Sequence, residues 1–193
     1  PEVSDEEVSK QVKDTLARLT AKGAKSKGAK YRKEKRELVA ERMSEEFERE
    51  VGKVDFIQDN ESLSRRGVVR GLHFQRGASS QAKLVRVSQG EVVDVVVDLR
   101  GGSPTFGRHL AVTLSAAGGR QMFVPRGFAH GFAVVSEVAQ FQYKVDNVYD
   151  PASEVTLSFD DPALGIEWPL RRDEMILSPK DLRGLSLADI EPF

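Results

Sequence analysis

From about residue 54 onward the chain changes period, and that change limits what it can fold into. Upstream, apolar residues recur at helical spacing. Downstream, short apolar runs alternate with turn residues and the dominant period drops to two. The runs predict strands over residues 54–57, 68–74, 83–87, 91–99, 110–114, 131–135, 139–145 and 155–159, and residues 121–124 lead into Pro125-Arg126-Gly127. Gln89-Gly90 supplies a hairpin connection, Gly101-Gly102-Ser103-Pro104 a loop and Ala116-Ala117-Gly118-Gly119 a turn. Many short strands with no helical segment between them favour a mainly β fold, an antiparallel sandwich or barrel. No internal repeat is present.

The remainder is an extension. Ser4-Asp5-Glu6-Glu7 reads as a capping box, and Val8, Val12, Leu16 and Leu19 follow at helical spacing. Residues 21–30 are lysine, glycine, alanine and serine only, a basic linker with nothing to bury. From about Tyr31 to Val51 charges alternate in sign, and Leu38, Val39, Met43, Phe47 and Val51 give a sparse apolar face, which predicts a second helix. The expected organisation is a charged helix-linker-helix extension over 1–50 and a β domain over 51–193.

Composition excludes several classes. With no cysteine, disulfides, thiolate zinc sites and a cysteine nucleophile are out. A net charge of −1 gives no general attraction to nucleic acid or membrane surfaces. The lack of cysteine is compatible with the cytoplasm; no apolar run approaches the ~20 residues of a membrane helix, and no signal peptide is visible. Gly101-Gly102 lacks the helix that follows a nucleotide-binding turn, and no serine sits in a nucleophile elbow.

Two polar residues in the strand over 68–74 need an account. Arg70 and His73 are three positions apart, so a regular strand sends them to opposite faces, whereas a bulge at Gly71 changes this. On spacing alone, the favoured reading is one exposed residue and one hydrogen-bonded structural histidine. His130, among Gly127, Phe128, Gly131 and Phe132, also reads first as structural, and His109 beside Arg108 as surface. The histidines are far apart in sequence and form no tight ligand cluster, so no metal site is expected.

Taken together, the motifs resemble a known family. From about Val54 to the C-terminus the chain resembles dTDP-4-dehydrorhamnose 3,5-epimerases through Phe56-Ile57-Gln58-Asp59-Asn60, Gly67-Val68-Val69-Arg70-Gly71-Leu72-His73-Phe74-Gln75, Lys83-Leu84-Val85-Arg86, Pro125-Arg126-Gly127-Phe128-Ala129-His130-Gly131-Phe132, Tyr143-Lys144, Ile166-Glu167-Trp168-Pro169 and Leu177-Ser178-Pro179-Lys180-Asp181. The resemblance implies a cupin-type antiparallel β-barrel (a double-stranded β-helix, or jelly roll), a dTDP-sugar substrate, no cofactor and a homodimer. It implies His73 as base, Asp181 as its partner, Tyr143 as the opposing acid and Lys83 near the ketone oxygen. Gln58, Asp59, Asn60, Arg70, His130, Glu154 and Lys180 fall at positions that bind the substrate or shape its site.

The N-terminal residues depart from the family pattern. The expected Asp-x-Arg-Gly-x-Phe-x-Glu motif has no counterpart, and residues from about Pro1 to Glu37 resemble a lysine-rich segment of some bacterial translation initiation factors. Val148 stands where many members have tyrosine. The alternatives are a mono-epimerase, a non-catalytic sugar-nucleotide-binding barrel, or an RNA-associated protein acting through the basic segment. For that segment a solvated charged face is the favoured account over phosphate binding.

Overall fold

The computed structural model describes residues 45–193. The chain divides into two units, Pro1–Val54 and Asp55–Phe193. In the first, residues 45–51 form helix α1, the end of the segment expected to be helical over 31–51. The capping-box helix, the basic linker and the RNA-binding alternative fall outside the described residues.

The second unit is built from β1 (Gln58–Arg65), β2 (Val69–Gln75), β3 (Lys83–Gln89), β4 (Glu91–Asp98), β5 (His109–Ser115), β6 (Gln121–Val124), β7 (Phe128–Val134), β8 (Val138–Val145) and β9 (Glu154–Thr156). They form two antiparallel sheets, one in the order β1-β8-β3-β6 and the other β5-β4-β7-β2-β9. This is the expected mainly β, jelly-roll architecture. The first strand lies later than expected: residues 54–57 carry no strand, and β1 begins at Gln58, in the polar stretch that follows them. β9 is likewise shorter than the run over 155–159.

The sheets close on a common core. Val85 and Val87 of β3, Val124 of β6 and Phe141 of β8 meet Val92 and Val96 of β4, Leu114 of β5 and Phe132 of β7. Phe141 stacks on Phe132 with ring centroids 4.2 Å apart. A fully buried side chain of this size contributes about 1.5–3 kcal/mol. A second cluster covers the opposite face of the five-stranded sheet, where Leu72, Val95, Val97 and Ala129 pack under Leu157, Leu164 and Ile190 of the C-terminal segment. β4 is therefore buried on both faces, which is why Val92 to Val97 reads as an almost unbroken apolar run. Among the described residues no helix is long and apolar enough to cross a membrane.

Candidate active site

The site begins with an irregularity in β2. Its register against β7 runs Val69↔Ala133 and Arg70↔Phe132, then resumes at His73↔His130. Three steps on β2 answer two on β7, so one extra residue is inserted and the facing of the strand reverses. Gly71 sits in this bulge at φ +102, and a Cβ there would lie 2.6 Å from the His130 carbonyl oxygen. The Gly71–Leu72 peptide is cis. Arg70 and His73 consequently point the same way, into a cavity of about 780 Å³ lined from both sheets. Leu72 and Phe74 turn outward into the second core. Arg70 is exposed, as one of the two was expected to be, but the opposite-face placement of a regular strand is replaced by a shared one.

His73 has an acidic partner on either side. Its Nε2 lies 2.6 Å from Asp181 Oδ1, in a close but bent contact that falls short of an aligned hydrogen bond. Its Nδ1 lies 4.0 Å from Glu154 Oε1. Asp181 comes from the 3-10 turn Asp181–Arg183 and is buried. Burial alone would raise its pKa, but His73, the Ser178 hydroxyl at 2.6 Å and the Gly71 N–H at 3.2 Å outweigh that and hold it at about 2. Asp181 is therefore an anion that sits against the imidazole and orients it. Glu154 is half-buried; burial works against its charge, and hydrogen bonds from Lys180 Nζ and the Tyr149 hydroxyl, both 2.7 Å, leave its pKa lowered. The same bond, with burial behind it, pushes the Tyr149 hydroxyl up to about 12.

A second imidazole-carboxylate pair stands beside the first. His130 Nε2 lies 2.9 and 3.0 Å from the two oxygens of Asp94, a carboxylate with no exposed surface, and stacks on Phe141 at 6.0 Å. Burial raises the pKa of Asp94, against the attraction of His130 and Lys83. Lys83, at the start of β3, is pushed down to about 8 by burial, with Glu154 and Asp94 pulling it back up. Burial also raises the Tyr143 hydroxyl, against the pull of Arg70. Tyr143 and Lys83 enter from the four-stranded sheet, whereas His73 and His130 enter from the five-stranded one. The cavity is thus lined by titratable side chains from both sheets.

The structure brings together Gln58, Asn60, Arg70, His73, Lys83, His130, Tyr143, Glu154, Lys180 and Asp181. Gln58 Nε2 donates to Asn60 Oδ1 at 2.7 Å, and Arg70 donates to Ser64 Oγ at 3.1 Å. Asp59 is the exception. Strand alternation turns it to the other face of β1, where it is exposed and pairs with Lys144 Nζ at 2.6 Å. His109 is not purely a surface residue, since its Nδ1 contacts the Leu164 carbonyl oxygen at 2.9 Å. Residue-by-residue reading missed Asp94 and Tyr149. A lone aspartate inside Val92-Val93-Asp94-Val95-Val96 was the available signal, because a charge there needs a buried partner. Among the described residues no group of three or more His, Cys, Asp or Glu side chains is placed to hold a metal ion.

Residues 20–189 match the family described as dTDP-4-dehydrorhamnose 3,5-epimerase. The chain belongs to this family. The match starts upstream of the first motif in the sequence, at Phe56. A dTDP-4-dehydrorhamnose 3,5-epimerase of Salmonella typhimurium is 56% identical over 124 residues, 64% of this chain and 68% of that one. The crystal structure of the enzyme of that name from Elizabethkingia anophelis superposes with a TM-score of 0.73 at 49% identity, covering 75% of this chain and 80% of its own. A dTDP-6-deoxy-D-glucose-3,5-epimerase from Legionella pneumophila, solved in complex with dTDP-4-keto-L-rhamnose, gives 0.72 at 47% identity, covering 76% of this chain and 78% of its own.

Proposed function

We propose that the chain is a dTDP-4-dehydrorhamnose 3,5-epimerase, an isomerase acting on dTDP-4-dehydro-6-deoxy-D-glucose at C3 and C5. The observation that carries the reading is the cavity of this family member, in which His73 rests on Asp181 while Lys83 and Tyr143 enter from the other sheet. The C4 carbonyl acidifies the protons on both neighbouring carbons. His73 Nδ1 removes one of them, and the electron pair moves onto the C4 oxygen. The Lys83 ammonium stabilises that oxyanion, with His130 beside it. Tyr143 returns a proton to the opposite face of the carbon, which inverts the centre. Exchange with water then restores neutral His73 and protonated Tyr143, so solvent hydrogen enters the sugar. Arg70 offers paired donors to the diphosphate, and Gln58, Asn60, Glu154 and Lys180 supply polar contacts to the substrate.

The reading includes a cytoplasmic homodimer, with residues 1–50 as an extension of the catalytic domain over 51–193. Sedimentation equilibrium of the full chain tests the dimer, and a single-subunit mass removes it. The activity is tested by incubating substrate in deuterium oxide. Label is expected at C3 and C5, and well-folded protein that labels neither carbon overturns the reading. Label at one carbon alone marks a mono-epimerase.

A further inference from the structure

Gln75 closes β2 two residues after His73 and is 5% exposed. Its Nε2 donates to the carbonyl oxygens of Ser79, at 2.6 Å, and Val148, at 3.1 Å. Its Oε1 accepts from the Asp150 N–H at 2.8 Å. Both amide hydrogens and the oxygen are therefore used, and two of the three bonds fall on the residues either side of Tyr149. The carboxamide grips the backbone at 148 and 150 much as a neighbouring strand would.

Little else can set the position of this segment by packing, since Val148 is 57% and Tyr149 53% exposed. Hydrogen bonds hold it instead. Asn147 Nδ2 donates to the Ala78 carbonyl oxygen at 2.7 Å, and Asp150 accepts from the Ser79 hydroxyl at 3.0 Å. Tyr149 lines the cavity, and its hydroxyl donates to Glu154 Oε2, whose other oxygen faces His73 Nδ1. One short strand end thus carries the imidazole and, two residues on, the amide that places the tyrosine beside it.

We propose that Gln75 is a positioning residue that fixes Tyr149 in the cavity wall, where the ring contacts the sugar of the substrate and the hydroxyl holds Glu154 beside His73. The inference rests on the function proposed above. It makes Tyr149 a substrate contact and Gln75 the group acting through it.

The test is a double-mutant cycle on the full chain, read by steady-state epimerisation with melting temperature alongside. Tyr149→Ala, at an exposed site, is expected to raise KM roughly tenfold, within the range that a misplaced binding group costs. Gln75→Met, close in volume but without donors, is expected to raise KM similarly in the native background and to add almost nothing in Tyr149→Ala. If Gln75→Met does not fold, Gln75→Glu takes its place, since a carboxylate cannot donate to the two carbonyls. An unchanged KM in Tyr149→Ala, or KM effects that multiply independently, overturns the clamp while leaving the proposed function standing. No turnover by the native chain overturns both.

Discussion

His73 and His130 are direct partners across β2 and β7, and each imidazole rests on its own carboxylate, Asp181 at 2.6 Å and Asp94 at 2.9 Å. The two pairs are not equivalent. Asp181 takes hydrogen bonds from a hydroxyl and from backbone, and is held at about 2. Among the described residues Asp94 has only His130 as a hydrogen-bonding neighbour in the apolar core between the sheets, and burial raises it. Environments that push like groups apart divide the labour of a site. Here the Asp181 anion faces His73, while Asp94 is one of the charges that pull Lys83 upward.

Replacing His73 by Asn is expected to slow solvent deuterium incorporation at both carbons by about 10²–10⁴-fold, the usual contribution of a general base. Asp181→Asn keeps the shape of the partner but removes its charge, and a smaller loss in the same direction is expected. Retained dTDP binding by titration calorimetry would separate lost chemistry from lost folding. Undiminished exchange in His73→Asn would assign the base elsewhere.

The pH profile should fall on its alkaline side near the pKa of Lys83. Burial depresses this ammonium to about 8, and only the protonated form can neutralise an enolate oxygen. Activity is therefore present below about pH 8 and lost as the pH rises through that value. Lys83→Arg replaces it with a group that stays charged throughout this range. The variant is expected to be slower, and its kcat/KM should no longer show that limb.

Asp94→Asn tests the second pair. It removes the anion facing His130 and one of the charges that pulls Lys83 upward, so the alkaline limb should move to lower pH while kcat falls. Leaving the His130 nitrogen poorly paired in the core costs about 1–3 kcal/mol, visible in urea denaturation. A lower midpoint with an unmoved pH profile would restrict Asp94 to a structural role.

Acid should weaken the site from the Asp181 side. The folded pKa of about 2 lies below the ordinary value of 3.8, so the stabilisation is complete above 3.8 and lost as the pH falls toward 2. Stability measured against pH in the native chain should decline more steeply across this window than in Asp181→Asn. Parallel curves would show that Asp181 contributes nothing to acid stability.

Most of the strands between residues 83 and 145 were legible in the sequence because they present at least one apolar face. β1 was not. It lies at the edge of its sheet, turns Gln58, Asn60 and Ser62 to the cavity and Asp59 to solvent, and so carries no apolar alternation at its start. Asp59 was drawn into the expected site for the same reason: a motif gives neighbours in sequence, whereas strand parity decides which of them share a face. The family motifs marked most of the cavity, yet Asp94 and Tyr149 came only with the tertiary structure. Their roles depend on His130 and Glu154, residues distant from them or turned toward them by the fold.

Gly71 joins local conformation to the chemistry, and substituting it tests that connection. The backbone there adopts φ +102, a region that L side chains rarely enter, and an added Cβ would meet the His130 carbonyl oxygen at 2.6 Å and the Gly131 Cα at 2.7 Å. Neither is the end of a flexible side chain, so β2 and β7 must separate. The same glycine donates its N–H to Asp181, so moving it disturbs the His73 partner as well. Gly71→Ala is expected to destabilise the fold by about 2–4 kcal/mol, the upper range for single substitutions. Where the protein still folds, exchange activity should drop further than the loss of folded protein explains, because the bulge is what directs Arg70 and His73 into one cavity. A fully active, native-stability Gly71→Ala variant would show that this register shift is dispensable.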